Sequence, residues 1–373
     1  MPCIDFLTID VQQCNGLGQL HMEETERGDV RGDVCETFAP EIPPSQRAAL
    51  KNLRSLAVKK GFARIAPDVL GTSAGKKDLA DFLRLINEMP ADVADKRNTR
   101  CRYVTFAHLY KPHDDAETLL YFTEPQYDED VGAKLFIYQL SKEFNPENSE
   151  PRKFAPVPDE ALKHRFLRQL IEAGFHVVPL RTDYRSLPLE VEVQFIRYEP
   201  RRGVESLGTP PTTHQDNDWA FCVFLLEWRG VDGALNAFVP LEYTNKALRD
   251  VPEGETVQMT LTDPLEGYCV EDTKVAHYVG PVRLKQGAEY GRRTIVILSY
   301  KPLVPLRPAD VRQTAELLRN RPELLEARPD APEEIKVDQP VVLRAGGQTS
   351  TEVRPQAARA RKPQKITLRR SIY

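Results

Sequence analysis

The sequence predicts an α+β fold with a mainly β core: a β-sandwich or barrel with helices packed on an outer face. Two observations predict it. Strand-type apolar runs at 220–228, 236–243, 256–261, 268–279 and 293–300 follow one another with Gly, Pro, Asp or Asn turns between them. Amphipathic segments lie ahead of that set, and there is neither strand–helix alternation nor a GxGxxG or Walker loop, which removes a parallel nucleotide-binding sheet.

The helices are justified one by one. Near Pro43-Pro44-Ser45, Ser45 suits an N-cap; Leu50, Leu53, Leu56 and Ala57 then form one stripe, and Gly61 suits the stop. Residues 77–88 place Leu79, Phe82, Leu83 and Ile86 on one face. Residues 159–173 turn Leu162, Phe166, Leu167, Leu170 and Ile171 inward, with Gly174 as terminator and His164 at the surface. Further strands are expected at 102–110, 119–122, 134–140 and 191–198. A late helix fits 309–319, and beyond Pro340 the Arg-, Ala-, Gln- and Pro-rich chain reads as a flexible tail. The expected division is an acidic N-terminal extension, 1–42, a catalytic domain, 43–302, and a C-terminal extension with a basic tail, 303–373.

Composition narrows the function classes. The 373 residues, 41% of them hydrophobic, can bury one large core, and a net charge of −4 gives no global pull towards nucleic acid or a membrane. Charge is uneven: residues 1–40 carry eight acids and two bases, and residues 341–373 carry eight bases and one acid. The six cysteines form no CxxC pair, no apolar run reaches the ~20 residues of a membrane span, and the start lacks a secretory pattern. A cytoplasmic enzyme is expected. The Arg31-Gly32-Asp33 tripeptide reads as an exposed loop.

The chemistry centres on His214-Gln215-Asp216. In a strand, side chains repeat every two residues, so His214 and Asp216 point the same way and Gln215 points away. His277, in the strand-like Val275-Ala276-His277-Tyr278-Val279, can lie opposite through antiparallel pairing. Two imidazoles and one carboxylate on a β scaffold suit Fe(II) and leave three coordination positions open. The other candidates read as structural. His113 sits in the polar Lys111-Pro112-His113-Asp114-Asp115 turn, His21 in the acidic stretch, and His108 and His176 as packed or hydrogen-bonded side chains.

Arg292-Arg293 precedes the β-branched run at 294–300. A guanidinium at the mouth of a buried strand needs a partner, and it pairs bidentately with carboxylate; the distal carboxylate of 2-oxoglutarate is a natural one. Adjacent arginines point oppositely, and Arg293 is preferred over Arg292. In the strand before the metal pair, Gln194 or Arg197 can reach a ligand, although ordinary alternation explains both. Trp219 fits either a pocket wall or the core.

Taken with their order, these segments resemble the 2-oxoglutarate- and Fe(II)-dependent dioxygenases, in particular the branch of free L-amino-acid hydroxylases such as L-isoleucine 4-hydroxylase. The resemblance is carried by Thr213-His214-Gln215-Asp216, the segment Arg229–Ala234, the stretch Val270–His277 and Gly291-Arg292-Arg293, with Arg100-Cys101-Arg102-Tyr103, 138–146 and 152–156 upstream. Asn217 stands where the family often has Gly, and Asp232-Gly233 where it has Gly-Gly. The resemblance covers roughly 45–302. It implies a double-stranded β-helix (jelly-roll, cupin-like) with packed N-terminal helices. It also implies Fe(II) on His214, Asp216 and His277, 2-oxoglutarate on Arg293, and O2 as oxidant. The implied reaction hydroxylates an unactivated C–H bond with release of succinate and CO2. The expected partner is a small-molecule substrate, an L-amino acid, with neither membrane nor nucleic acid involved; a homodimer is compatible. The alternatives are the same chemistry on a peptide, protein or nucleic acid, or a non-catalytic β-barrel binding module.

Overall fold

The structure is a computed structural model that describes residues 9–14, 17–22, 35–38, 42–70, 73–111, 113, 116–138, 151–208, 210–216 and 218–303. The Arg-Gly-Asp loop, Asn217, residues 139–146 of the upstream motif, the expected helix at 309–319 and the basic tail lie outside the described residues. A hairpin of β1 (Ile9–Cys14) and β2 (Leu17–Met22) comes first, then β3 (Cys35–Phe38), α1 (Pro44–Lys60) and β4 (Phe62–Ile65). Helix α2 (Ser73–Leu85) leads to β5 (Arg100–Tyr110), β6 (Thr118–Phe122), β7 (Gln126–Asp128), β8 (Ala133–Tyr138) and β9 (Arg152–Phe154). Helices α3 (Asp159–Leu162), α4 (Arg165–Val177) and α5 (Thr182–Arg185) precede β10 (Leu189–Tyr198) and β11 (Ala220–Arg229). The rest is β12 (Val231–Gly233), β13 (Asn236–Pro240), β14 (Val257–Met259), β15 (Gly267–Val270), β16 (Val275–Val279), β17 (Val282–Leu284) and β18 (Arg292–Pro302).

The large sheet runs β3-β6-β5-β10-β18-β11-β15-β4, antiparallel throughout. Strand alternation gives it two different faces. On one face Val191, Val193, Phe195, Cys222, Phe224, Val296, Leu298 and Tyr300 form one core with Leu50 and Ala57 of α1, Phe82 of α2 and Phe166, Leu167, Leu170 and Ile171 of α4. On the other, Phe221, Val223, Tyr268 and Ile295 pack with Phe238 of β13, Val275 of β16 and Val282 of β17. The small sheets β14-β13-β16 and β12-β17 thus close over the large one as a second layer. The rings of Phe62 and Phe238 stack across the layers at 4.6 Å. This is the jelly-roll arrangement with helices on the outer face. At Gly233 (φ +83) a β-carbon would strike the Pro281 carbonyl, so the β12 turn requires glycine.

Several element boundaries differ from expectation, each for a local reason. Helix α1 starts at Pro44, with Pro43 rather than Ser45 as N-cap; a proline at the first position has no N–H to leave unsatisfied. Gly61 does end it, with φ 85° and its N–H on the Ala57 carbonyl at 2.7 Å. Helix α2 lies a few residues earlier than 77–88. The expected helix 159–173 is broken by His164, whose Nδ1 accepts from the Phe166 amide at 3.2 Å and caps α4. Helix α4 continues through Gly174 to Val177. That glycine is a packing residue instead of a terminator: a β-carbon there would collide with the Tyr300 hydroxyl, which donates to the Ile171 carbonyl at 2.6 Å. The run 268–279 is two strands in different layers, because the polar 271–274 turn cannot continue a buried strand.

Candidate active site

The site is built where the two layers meet. His277 is central in β16, which pairs with β13. His214 forms an isolated antiparallel bridge with it, each amide donating to the other's carbonyl at 2.9 Å. Thr213 is pinned by two backbone bonds, its N–H to Lys246 O at 2.9 Å and its carbonyl accepting from Asn245 N–H at 2.7 Å. The expected strand through 214–216 is therefore reduced to one bridge. Pro210 and Pro211 precede it and cannot donate to a ladder, and the chain leaves the sheet after His214. Gln215 turns away as alternation requires, and its amide donates to the Asp272 carbonyl.

The three side chains converge. A nitrogen from each imidazole and an oxygen of Asp216 all lie within 4.8 Å of one another. Asp216 spans the pair, Oδ1 at 3.6 Å from His214 Nε2 and Oδ2 at 3.3 Å from His277 Nε2. Both histidines are 4% exposed, and Asp216 is open on one side. His214 Nδ1 faces the Thr212 carbonyl at 3.1 Å, which places the proton there; Nε2 has no hydrogen-bond partner among the described residues. Behind His277, Asp272 Oδ1 lies 3.5 Å from Nδ1, while Asp272 Oδ2 accepts from the Asp218 amide at 3.1 Å.

Electrostatics separate the two histidines. Burial, and then His277, push His214 down to about 4. Burial also opposes charge on His277, but Asp216 and then Asp272 overcome it and hold its pKa up to about 10. Burial alone would raise Asp216; His277 and then His214 hold its carboxyl well below the usual range. The metal-free cluster is thus one imidazolium, one neutral imidazole and one carboxylate. Two imidazole nitrogens and a carboxylate oxygen presented to one open side, one of them a buried lone pair without a partner, fit a ferrous ion.

The two adjacent arginines part. Arg293 is 1% exposed, lies 5.3 Å over the Tyr198 ring and hydrogen-bonds that residue, yet its Nε and Nη1 have no partner among the described residues. Arg292 turns to the helix side and pairs with Glu199 at 3.2 Å and Asn87 Oδ1 at 3.2 Å. Arg197 also faces that side, donating to the carbonyls of Ile86 and Asn87 at 2.9 and 2.6 Å beyond the end of α2. Gln194 and Arg197 are an odd number of residues apart, so one strand cannot turn both inward. Arg197 as a ligand contact is therefore corrected; Gln194 lies on the inner face, accepting from Arg102 Nη1 at 2.8 Å.

The remaining candidates stay away from the cluster. His113 is exposed, and His108 lies 6.1 Å from the Tyr121 ring. His176 is buried in α4, 3.6 Å from Glu172. Trp219 is 38% exposed and meets Tyr184 edge-on at 4.7 Å. Sequence reasoning did not assign Asp272, Asp218, Glu192, Ser299 or Arg102 to the site. Alternation from Gln194 would have found Glu192, two residues back on the same face.

Residues 86–299, more than half of the chain, match the family described as 2OG-Fe dioxygenase. No curated protein matches the sequence. Among solved structures the chain is similar to a bsmA homolog from Methylobium petroleophilum PM1, with 19% identity and a TM-score of 0.53 over 72% of this chain and 97% of that one. It is also similar to IDO from Bacillus thuringiensis, with 15% identity and a TM-score of 0.49 over 69% and 96% of the two chains. The Fe(II)/(alpha)ketoglutarate-dependent dioxygenase TqaL follows, with 16% identity and a TM-score of 0.48 over 72% and 93%. Among the described residues no helix is long and apolar enough to cross a membrane. The extent of the family match makes the chain a member of the 2OG-Fe dioxygenases, enzymes whose chemistry runs on Fe(II), 2-oxoglutarate and O2.

Proposed function

We propose that this dioxygenase hydroxylates an unactivated C–H bond of a free L-amino acid or an amino-acid-like small molecule. In this reading His214, Asp216 and His277 hold Fe(II), and Arg293 holds the distal carboxylate of 2-oxoglutarate. The observation that carries it is the convergence of those three donors inside a barrel whose inner wall also buries an incompletely paired guanidinium. Motif resemblance to the free L-amino-acid hydroxylases supports the substrate class. We assign the chemistry to residues 43–302, with 1–42 and 303–373 as extensions, and place the enzyme in the cytoplasm. The free thiols of Cys101, Cys222 and Cys269 fit a reducing compartment.

When bound, iron and 2-oxoglutarate supply oxygen activation coupled to oxidative decarboxylation, yielding succinate, CO2 and a hydroxylated product. The chain supplies the rest. Asp272 fixes the His277 proton on Nδ1 and leaves Nε2 facing the open side. The carboxylate at position 216 favours hydroxylation over halogenation, which needs that coordination place free for halide. Tyr198 and Tyr268, both buried beside Arg293, keep water from its guanidinium and strengthen its grip on a carboxylate. The test is a panel of the common L-amino acids with Fe(II) and 2-oxoglutarate, read as succinate formed and a product heavier by one oxygen. Iron and 2-oxoglutarate binding without stimulation by any free amino acid would refute the substrate class.

A further inference from the structure

The inner face of β10 and its neighbours carries buried charges that the iron and 2-oxoglutarate sites do not use. At one end is Arg102, 6% exposed. Its Nε lies 3.0 Å from Asp92, but the same carboxylate also takes Arg100 at 2.7 Å, so two guanidiniums share one anion. At the other end are Glu192, 6% exposed, and the half-buried Asp218. Glu192 accepts from the Gln194 amide, and Asp218 accepts from the Ser299 hydroxyl at 2.7 Å. Both donors are neutral. The amine in this neighbourhood, Lys301, bonds Glu190 at 2.9 Å and also acts on Glu192 and Asp218, so one cation serves three carboxylates. Between the two ends stands Gln194, its oxygen on Arg102 and its nitrogen on Glu192.

Positive excess and negative excess thus lie side by side around buried Arg102 and Glu192, bridged by one amide. Leaving such charges unpaired costs stability, so the arrangement makes sense where a ligand completes it. The row also borders the metal cluster. Ser299 stands across from Glu192 in one strand pairing and from Phe221 in the other, and the Phe221 ring meets His277 at 5.3 Å.

We propose that this row is a zwitterion-recognition site in which Arg102 receives the α-carboxylate, and Glu192 with Asp218 the α-ammonium, of a free amino acid. The two charges of an α-amino acid are separated by a single carbon, which suits receivers joined through a single side-chain amide. A residue inside a peptide has neither charge and would leave both ends uncompensated, so the site selects against macromolecular substrates. Burial raises Glu192 to about 7, and an arriving ammonium would keep it ionised. The inference rests on the proposed reading of the substrate as a free amino acid.

The test uses full-length enzyme loaded with Fe(II) and 2-oxoglutarate under nitrogen. Calorimetry measures binding of the common L-amino acids. For each one that binds it then measures the matched amine, lacking the carboxylate, and the matched 2-hydroxy acid, lacking the ammonium. Losing either charge should weaken binding about 10- to 100-fold, the worth of one charge-assisted hydrogen bond. Glu192→Gln should weaken the amino acid by a similar factor while changing the hydroxy acid by less than about threefold, so that discrimination collapses. Arg102→Gln should do the same for the amine. Amino acids that bind with discrimination unchanged in Glu192→Gln overturn the recognition row and leave the substrate class standing. If no amino acid binds to loaded enzyme, the substrate class fails and the row fails with it.

Discussion

Replacing Arg293 with methionine should make the ligand-free protein more stable and the enzyme unable to hold 2-oxoglutarate. Arg293 is buried with two guanidinium nitrogens unpartnered among the described residues. Replacing a buried ion pair with apolar side chains of similar volume is often stabilising by about 1–4 kcal/mol, and the same range is taken for this incompletely paired charge. Against that stands the stacking on Tyr198 at 5.3 Å, a desolvated cation–π contact worth about 2 kcal/mol. The net runs from about −1 to +2 kcal/mol, centred on a gain of roughly 0.5, and at this domain size that raises Tm by about 1–2 °C. Ligand works the other way. At a concentration of about 100 Kd, 2-oxoglutarate stabilises the parent by about 2.7 kcal/mol, a shift of roughly 5–11 °C. Arg293→Met loses that shift, because two charge-assisted hydrogen bonds worth about 3 kcal/mol together correspond to more than a 100-fold loss of affinity. Thermal denaturation with Mn(II) in place of iron, with and without 2-oxoglutarate, reads both effects. A variant that melts lower than the parent without ligand and still gains the full shift with it would refute the reasoning.

Other outcomes follow from the same geometry. His214→Ala and Asp216→Ala should each lose stoichiometric iron after anaerobic reconstitution, measured by metal analysis; retained iron would move the metal elsewhere. Asp272→Asn should keep the fold but weaken iron about 10- to 100-fold, since the group that orients His277 Nδ1 loses its charge. Stability against pH should separate Glu192→Gln from the parent. Burial, only partly offset by Lys301, raises the folded pKa from 4.5 to about 7, so the parent bears no penalty below pH 4.5 and an increasing one up to pH 7. The variant should match it at pH 4 and exceed it at pH 8 by on the order of 3 kcal/mol in urea unfolding. Gly174→Val should destabilise by about 1–3 kcal/mol in urea unfolding, because a β-carbon meets the Tyr300 hydroxyl and ring and the Cys222 sulfur, and adding Tyr300→Phe should relieve only part of the loss.

What the sequence determined by itself was the part written in local periodicity. Alternation along 191–198 and 220–226 separates the residues facing the helices from those facing the barrel, until a bulge between Leu225 and Glu227 turns Trp228 to the barrel core. The same rule turns Arg292 and Arg293 to opposite sides. The type of each ligand, imidazole or carboxylate, also needs no coordinates. Tertiary structure decided everything that depends on pairing between distant segments. The isolated bridge that sets His214 against His277 joins residues far apart in the chain, and no local pattern encodes its register. Asp272 and Asp218 became neighbours of the cluster only because the polar turn at 271–274 carries the chain from one layer to the other. Arg197 shows the limit in the other direction: its charge suggested a ligand, and the helix end packed against β10 gave it backbone carbonyls instead. Periodicity says which way a side chain points, but what it meets there is set by chain folded back from elsewhere.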